Sequence, residues 1–289
     1  EDPFALVPGL LAASDRPPVL LVSDGMRAAF VLGLQAVLPG AEWGVASTSL
    51  APMRRVKDAE EVALLQAAAG AADRAIERVI NGPLVGRSEA DVAREVRDAL
   101  VGEGHDTAEF WIVASGPNSA SPHHEPGTRT IRAGEPVLFD IGGRRAGYCS
   151  DITRTIWVAG EDGSGPDAAF REIYELTAAA QAAARQAVRP GVSFEGLDSA
   201  ARDVIAAGGH GQHFIHRLGH GIGLEVHEEP YVVAGNDELA IAGNTFSCEP
   251  GIYLEGRYGV RIEDAMLCTA DGGESLNQAP RELRTVSGH

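Results

Sequence analysis

The segment Gly86–His105, GRSEADVAREVRDALVGEGH, recurs in pattern 105 positions later as Gly191–His210, GVSFEGLDSAARDVIAAGGH. Gly86 matches Gly191, Ser88 matches Ser193 and Val92 matches Leu197. Arg97-Asp98 match Arg202-Asp203, Leu100 matches Ile205, and Gly104-His105 match Gly209-His210. Chance likeness between two helices would not reproduce the turn glycines and the terminal Gly-His. Each segment reads as a short helix that follows a longer one. The first long helix carries Val62, Leu65, Ala69, Ala72, Ile76, Val79 and Ile80 on one face; the second is the Ala-rich run 167–188. Two copies of long helix, short helix, then strands constrain the chain to an α+β fold with two matching halves.

Each copy closes on a hairpin bearing carboxylates. The first, FDIGGRRAGYCSDITRT (139–155), places Asp140 and Asp151 on either side of a turn near 144–147. Pairing Ile141 with Ser150 and Gly142 with Cys149 sets the two aspartates opposite each other, with Cβ atoms about 5 Å apart. Carboxylates that close repel unless a proton or a cation lies between them, and a hard divalent ion takes carboxylate oxygens. The second, FSCEPGIYLEGRYGVRIE (246–263), brackets a turn at Glu255-Gly256 with Glu249 and Glu263. Two hairpins related by a pseudo-twofold bring four carboxylates together. Between them lies HRLGHGIGLEVHEEP (216–230), where His216, His220 and His227 cluster among glycines that allow close backbone approach. Imidazole is a standard transition-metal ligand.

Composition narrows the function classes. With 289 residues and 44% hydrophobic content the chain can bury a sizeable core. A net charge of −17 and the lack of a basic run argue against nucleic acid and anionic membranes as partners. No apolar run approaches the roughly 20 residues of a membrane span, and no signal-peptide pattern is present. Cys149, Cys248 and Cys268 are odd in number and lack CxxC spacing, which points to unpaired thiols in a reducing compartment. A cytoplasmic location is therefore expected, with the cysteines acting as small buried apolar groups.

The motifs FDIGGRRAGYCSDITRT, HRLGHGIGLEVHEEP, CEPGIY and RIEDAML, with the loop SGPNSASPHHEP (115–126), together resemble the pita-bread metallopeptidases: the creatinase, methionyl aminopeptidase, aminopeptidase P and prolidase group. The likeness spans Met53 to Leu267 and is nearest to the proline-specific bacterial branch, Xaa-Pro dipeptidase or Xaa-Pro aminopeptidase. It implies five metal ligands, Asp140, Asp151, His220, Glu249 and Glu263, holding two divalent ions, with Asp151 and Glu263 bridging. Mn²⁺ or Co²⁺ is expected, with Zn²⁺ as a lesser alternative. The resemblance further implies hydrolysis of Xaa-Pro bonds by a metal-bridging hydroxide, with Glu249 shuttling the proton. His123 would donate to the substrate or leaving nitrogen, and His227 would stabilise the tetrahedral intermediate. His216 would line the proline-side pocket. Arg261 would contact either the ligands or a substrate carboxylate. His124 is read as a surface neighbour of His123. The expected partners are a proline-containing peptide and a second copy of the chain in a homodimer. Dipeptidase and aminopeptidase are not separated by these motifs. The rival readings are a metal-free creatinase-like hydrolase and a non-catalytic binding protein on the same scaffold.

Residues 1–52 contain a strand candidate, VLLVS (19–23), a helix candidate, 27–38, and a second strand candidate, 43–46. The chain opens on Glu1 rather than Met, and the proline-specific enzymes it resembles carry a complete extra domain before the catalytic one. Residues 1–52 are accordingly expected to be the remnant of that domain, and 53–289 the catalytic domain.

Overall fold

The computed structural model describes residues 2–11 and 16–287. The chain forms two compact units, Glu1–Arg54 and Arg55–His289. In the first, strands β1 (Val19–Val22) and β2 (Glu42–Val45) pair in parallel. Parallel strands need a crossover, which helix α1 (Ala28–Val37) supplies. Helix α2 (Ser47–Arg54), absent from the sequence reading, follows.

The second unit opens with the longer helix α3 (Ala59–Ile80) and the shorter α4 (Glu89–Gly102). Asp58 and Glu61 form a reciprocal capping box on α3, and the Ser88 hydroxyl accepts from Asp91 N on α4. Strands β3 (Thr107–Ser115), β4 (Pro136–Arg145), β5 (Tyr148–Cys149) and β6 (Ile152–Val158) complete the first half. The second half repeats the scheme with α5 (Ala168–Ala187), α6 (Phe194–Ala207), β7 (Gly219–Gly221), β8 (Glu228–Val232), β9 (Thr245–Cys248), β10 (Gly251–Leu254), β11 (Tyr258–Arg261) and β12 (Glu263–Cys268). Strands β13 (Gly273–Ser275) and β14 (Thr285–Val286) flank β12 and β6.

The main sheet runs β3-β4-β6-β12-β9-β7-β8. Apart from β8 this order reads alike from either end about the β6–β12 seam, as a duplication requires. Each half packs its own helices on its own strands. Ile76, Val79, Val92, Val96 and Leu100 meet Phe139, Ile141 and Ile156 in one core. Phe170, Ile173, Phe194 and Leu197 meet Phe246, Val260 and Met266 in the other. The backbone docking is duplicated too. Glu89 N and Ala90 N donate to Arg129 O and Gly127 O, both at 2.9 Å; Phe194 N and Glu195 N donate to Glu238 O and Asn236 O at 3.0 and 2.8 Å.

Two expectations are corrected. Asp140 does not face Asp151: it pairs with Thr153, and Ile141 pairs with Ile152. The turn residues are Ala146 and Gly147, with φ of 49° and 89°, between paired Arg145 and Tyr148. A two-residue hairpin turn of this kind needs positive φ at both positions, and glycine at 147 supplies one without strain. That turn moves the register two residues from the aspartate-facing one. Nor are the two carboxylate hairpins equivalent. Strands β10 and β11 pair only with each other, as a ribbon separate from the main sheet. Glu249 and Glu263 therefore sit where the chain leaves and rejoins that sheet.

Candidate metal centre and active site

The seam between the halves places the carboxylates. Asp140 lies in β4, Asp151 immediately precedes β6, Glu263 opens β12 opposite Thr153, and Glu249 follows β9. His220 is the middle residue of β7. All five line one cavity of about 660 Å³, together with His123, His216, Arg217, His227, Arg261 and the apolar Phe110, Ile112 and Val226.

Donor atoms of Asp151, His220 and Glu263 lie within 4.8 Å of one another, and all three residues are buried. His220 Nδ1 faces the Gly221 carbonyl at 3.1 Å. A carbonyl only accepts, so Nδ1 carries a proton. Nε2 then points at Asp151 Oδ2, 3.5 Å away, and Glu249 Oε1, 3.3 Å away. A second hydrogen bond to backbone is the usual way a ligating imidazole is fixed. Thr153 Oγ1 donates to Glu263 Oε2 at 2.6 Å, which turns the other oxygen elsewhere. That oxygen, Glu263 Oε1, and Asp151 Oδ1 are buried without a hydrogen-bond partner.

The charges do not balance within the protein. Burial, then the charges of Glu263, Asp140 and Glu249, push the Asp151 carboxyl well above its usual range. Burial, then Glu249 and Asp140, do the same to Glu263. Orphaned buried oxygens, and carboxylates raised by burial and then by one another, are what a divalent cation would satisfy. The donor set, four carboxylates and one imidazole with no thiolate, fits divalent oxygen-seeking ions. Cys149 and Cys248 are buried free thiols; burial drives the first up to about 12 and the second well above its usual value.

Asp140 stands apart from the three-residue group. Its Oδ2 accepts from Arg261 Nη2 at 2.6 Å. The buried guanidinium also donates to Thr153 Oγ1 at 3.1 Å and to Tyr253 Oη at 2.8 Å. The Tyr253 hydroxyl in turn donates to His216 Nε2 at 2.8 Å, since His216 Nδ1 donates to the Arg217 carbonyl at 2.7 Å. A continuous chain therefore runs Asp140–Arg261–Tyr253–His216 along one wall. On another wall His227 meets His220 edge-on at 4.0 Å between ring centres. Burial, then His220 and Arg217, hold the His227 imidazole down at about 4, so it is neutral near pH 7.

Three participants escaped the sequence reading. Tyr253 gave no signal, because an aromatic on a strand is more often core. Thr153 could have been found: it follows Asp151 by two positions, on the same face of an extended chain. His124 is not a mere surface neighbour. It is half-buried, and its Nε2 donates to Glu89 Oε2 at 2.8 Å.

Comparison with known proteins places the chain in a family. The model of metallopeptidase family M24 matches residues 63–270. A probable dipeptidase PepE from Mycobacterium tuberculosis is 46% identical over 287 residues, covering 99% of this chain and 74% of the relative. An Xaa-Pro dipeptidase from Lactobacillus helveticus is 38% identical, covering 99% of this chain and 78% of the relative. The crystal structure of a recombinant prolidase from Thermococcus sibiricus superposes with a TM-score of 0.94 at 38% identity, covering 99% of this chain and 77% of that one. A pita-bread fold enclosing buried carboxylates and an imidazole defines a metallopeptidase. The chain belongs to metallopeptidase family M24.

Proposed function

We propose that the cavity hydrolyses the peptide bond before proline, with a pair of divalent cations held by Asp140, Asp151, His220, Glu249 and Glu263. The observation that carries this reading is the convergence of two partnerless buried oxygens, Asp151 Oδ1 and Glu263 Oε1, in a cluster with His220. Cations there would activate a water at neutral pH and polarise the scissile carbonyl. The protein's own groups do the remainder. Arg261 holds Asp140 in place through Nη2. Ser247 Oγ donates to Glu249 Oε1 at 3.0 Å, fixing the carboxylate that receives and returns the proton. His227 and His123 reach the cavity from different loops. They supply N–H groups to the developing oxyanion and the leaving nitrogen. His216, backed by Tyr253, whose hydroxyl Arg261 holds, forms the proline-side wall.

Relatives named dipeptidase and Xaa-Pro dipeptidase favour a dipeptide over a longer substrate. The test is hydrolysis of an Xaa-Pro dipeptide and an Xaa-Pro-Xaa tripeptide by metal-stripped protein, with and without added Mn²⁺. Restored cleavage of the dipeptide alone is the expected result; cleavage of the tripeptide makes it an aminopeptidase P. Asp151→Ala should abolish metal binding by calorimetry and lower kcat by more than about 100-fold, the upper end of what loss of a ligand's outer partner costs. Full activity in that variant would sink the site.

A further inference from the structure

Glu89 is the first residue of α4, yet its carboxylate does not serve its own helix. The side chain is fully buried. Oε1 accepts from Ser115 N and Ser115 Oγ, each at 2.7 Å, and from Asn118 Nδ2 at 3.0 Å. Oε2 accepts from Asn118 Nδ2 at 3.0 Å, His124 Nε2 at 2.8 Å and Gly127 N at 3.5 Å. Every partner belongs to the segment 115–127, which runs past the cavity and carries His123 into it. Hydrogen bonding lowers the Glu89 pKa despite burial, so the carboxylate is charged in the folded chain.

The duplication shows what the fold alone requires at this position. The counterpart of Glu89, 105 positions on, is Phe194. Phe194 is buried and packs edge-on against Phe246 with ring centres 5.7 Å apart. Both copies make the same pair of backbone hydrogen bonds from the first helical turn to the following loop. The helix is thus docked equally well with an apolar residue at its start. A buried carboxylate is the costlier choice, so stability of the helix does not account for it. Both loops carry a cavity histidine, His123 in the first copy and His227 in the second, but they are held differently. Glu228, next to His227, opens β8 and pairs with Lys57 at 2.7 Å, whereas residues 121–127 lie outside any strand and meet Glu89. The His123 ring is exposed and has no hydrogen bond to the described residues, so only its backbone sets its place. The far side of that backbone is held at Ser119, whose Oγ accepts from Gly259 N at 2.9 Å, and at Pro122 O, which Arg261 Nη1 reaches at 3.3 Å.

We infer that Glu89, through His124, Ser115 and Asn118, is a positioning residue for His123: it clamps the 115–127 loop so that the imidazole stands over the metal centre. The inference rests on the peptidase reading of the cavity for its effect on turnover, but not for the clamp itself. In Glu89→Gln and in His124→Phe, kcat for an Xaa-Pro dipeptide should fall about 100-fold, the scale of a 1 Å misplacement of a reacting group. KM should change by less than about threefold, because the loss falls on the transition state. His124→Gln, whose amide nitrogen can donate to the same carboxylate, should restore kcat. Metal content should match the parent. Amide hydrogen exchange in Glu89→Gln should quicken across 116–127 and stay unchanged elsewhere. Parent-level kcat in both impaired variants overturns the inference. So does a loss of kcat that tracks lost metal or globally faster exchange. A parent protein inert on peptides would remove the peptidase reading alone. The exchange comparison would then decide the clamp, and unchanged exchange at 116–127 would overturn it.

Discussion

Lys57 is the only lysine among the 24 basic residues. Its side chain is 1% exposed and pairs at 2.7 Å with Glu228, itself 9% exposed. Glu228 opens β8 directly after His227, so the pair anchors one end of the loop that carries that imidazole. Removing one partner from a buried pair costs about 3–5 kcal/mol, whereas replacing both is far milder. Lys57→Met should therefore destabilise the metal-loaded protein by about 3 kcal/mol in urea unfolding, and Lys57→Met with Glu228→Leu should recover most of it. A Lys57→Met midpoint equal to the parent's would refute the anchor. At this scale the carboxylates and histidines singled out in the sequence do line one cavity, because residue type and motif mark them. The sequence did not announce their partners. Arg261 finds Asp140 across 121 positions, and Glu89 finds His124 across 35. Contacts of that kind exist only once the chain has folded.

Elements translate the motif into geometry, and register is where sequence reading failed. The aspartate-bearing motif located β4 and β6, but the offset between them was set by Ala146-Gly147 at the turn. The glycines beside His220 were easier to interpret. A Cβ on Gly219 would lie 1.9 Å from the Ser247 carbonyl oxygen in neighbouring β9, a backbone atom that cannot step aside. The same Ser247 accepts from His220 N through its hydroxyl at 3.0 Å and donates to Glu249. Close approach of β7 to β9 is therefore what brings His220 and Glu249 together. Gly219→Ala should force the strands apart and weaken Mn²⁺ binding by about 10- to 100-fold, as disturbing a ligand's outer partners does. Titration calorimetry reads this directly, and unaltered affinity would show that the strand spacing is not what holds His220 to the site.

Across the whole molecule, the offset of 105 between the two helix pairs carried most of the architecture. It implied two matching halves, and the strand order about β6–β12 has that form. The separate β10–β11 ribbon was invisible because nothing local distinguishes a paired strand from one peeled off its sheet. No helix of the described residues is long and apolar enough to cross a membrane. The two units differ sharply in burial. None of the helices α1 and α2 or the strands β1 and β2 contains a buried residue, whereas Arg55–His289 holds all three apolar clusters. Segments with few buried contacts open locally at little cost. Brief digestion with a protease of broad specificity should therefore cut first within residues 2–54. Every proposed ligand and every cavity-lining residue lies between Glu109 and Glu263, so the trimmed chain should still bind Mn²⁺. Ligand binding to the folded state alone raises its stability by mass action. Saturating Mn²⁺ should accordingly raise the melting temperature of 55–289 while leaving the rate of cutting within 2–54 unchanged. First cuts inside the larger unit would overturn the burial argument, and loss of metal binding on trimming would show that the site depends on the smaller unit.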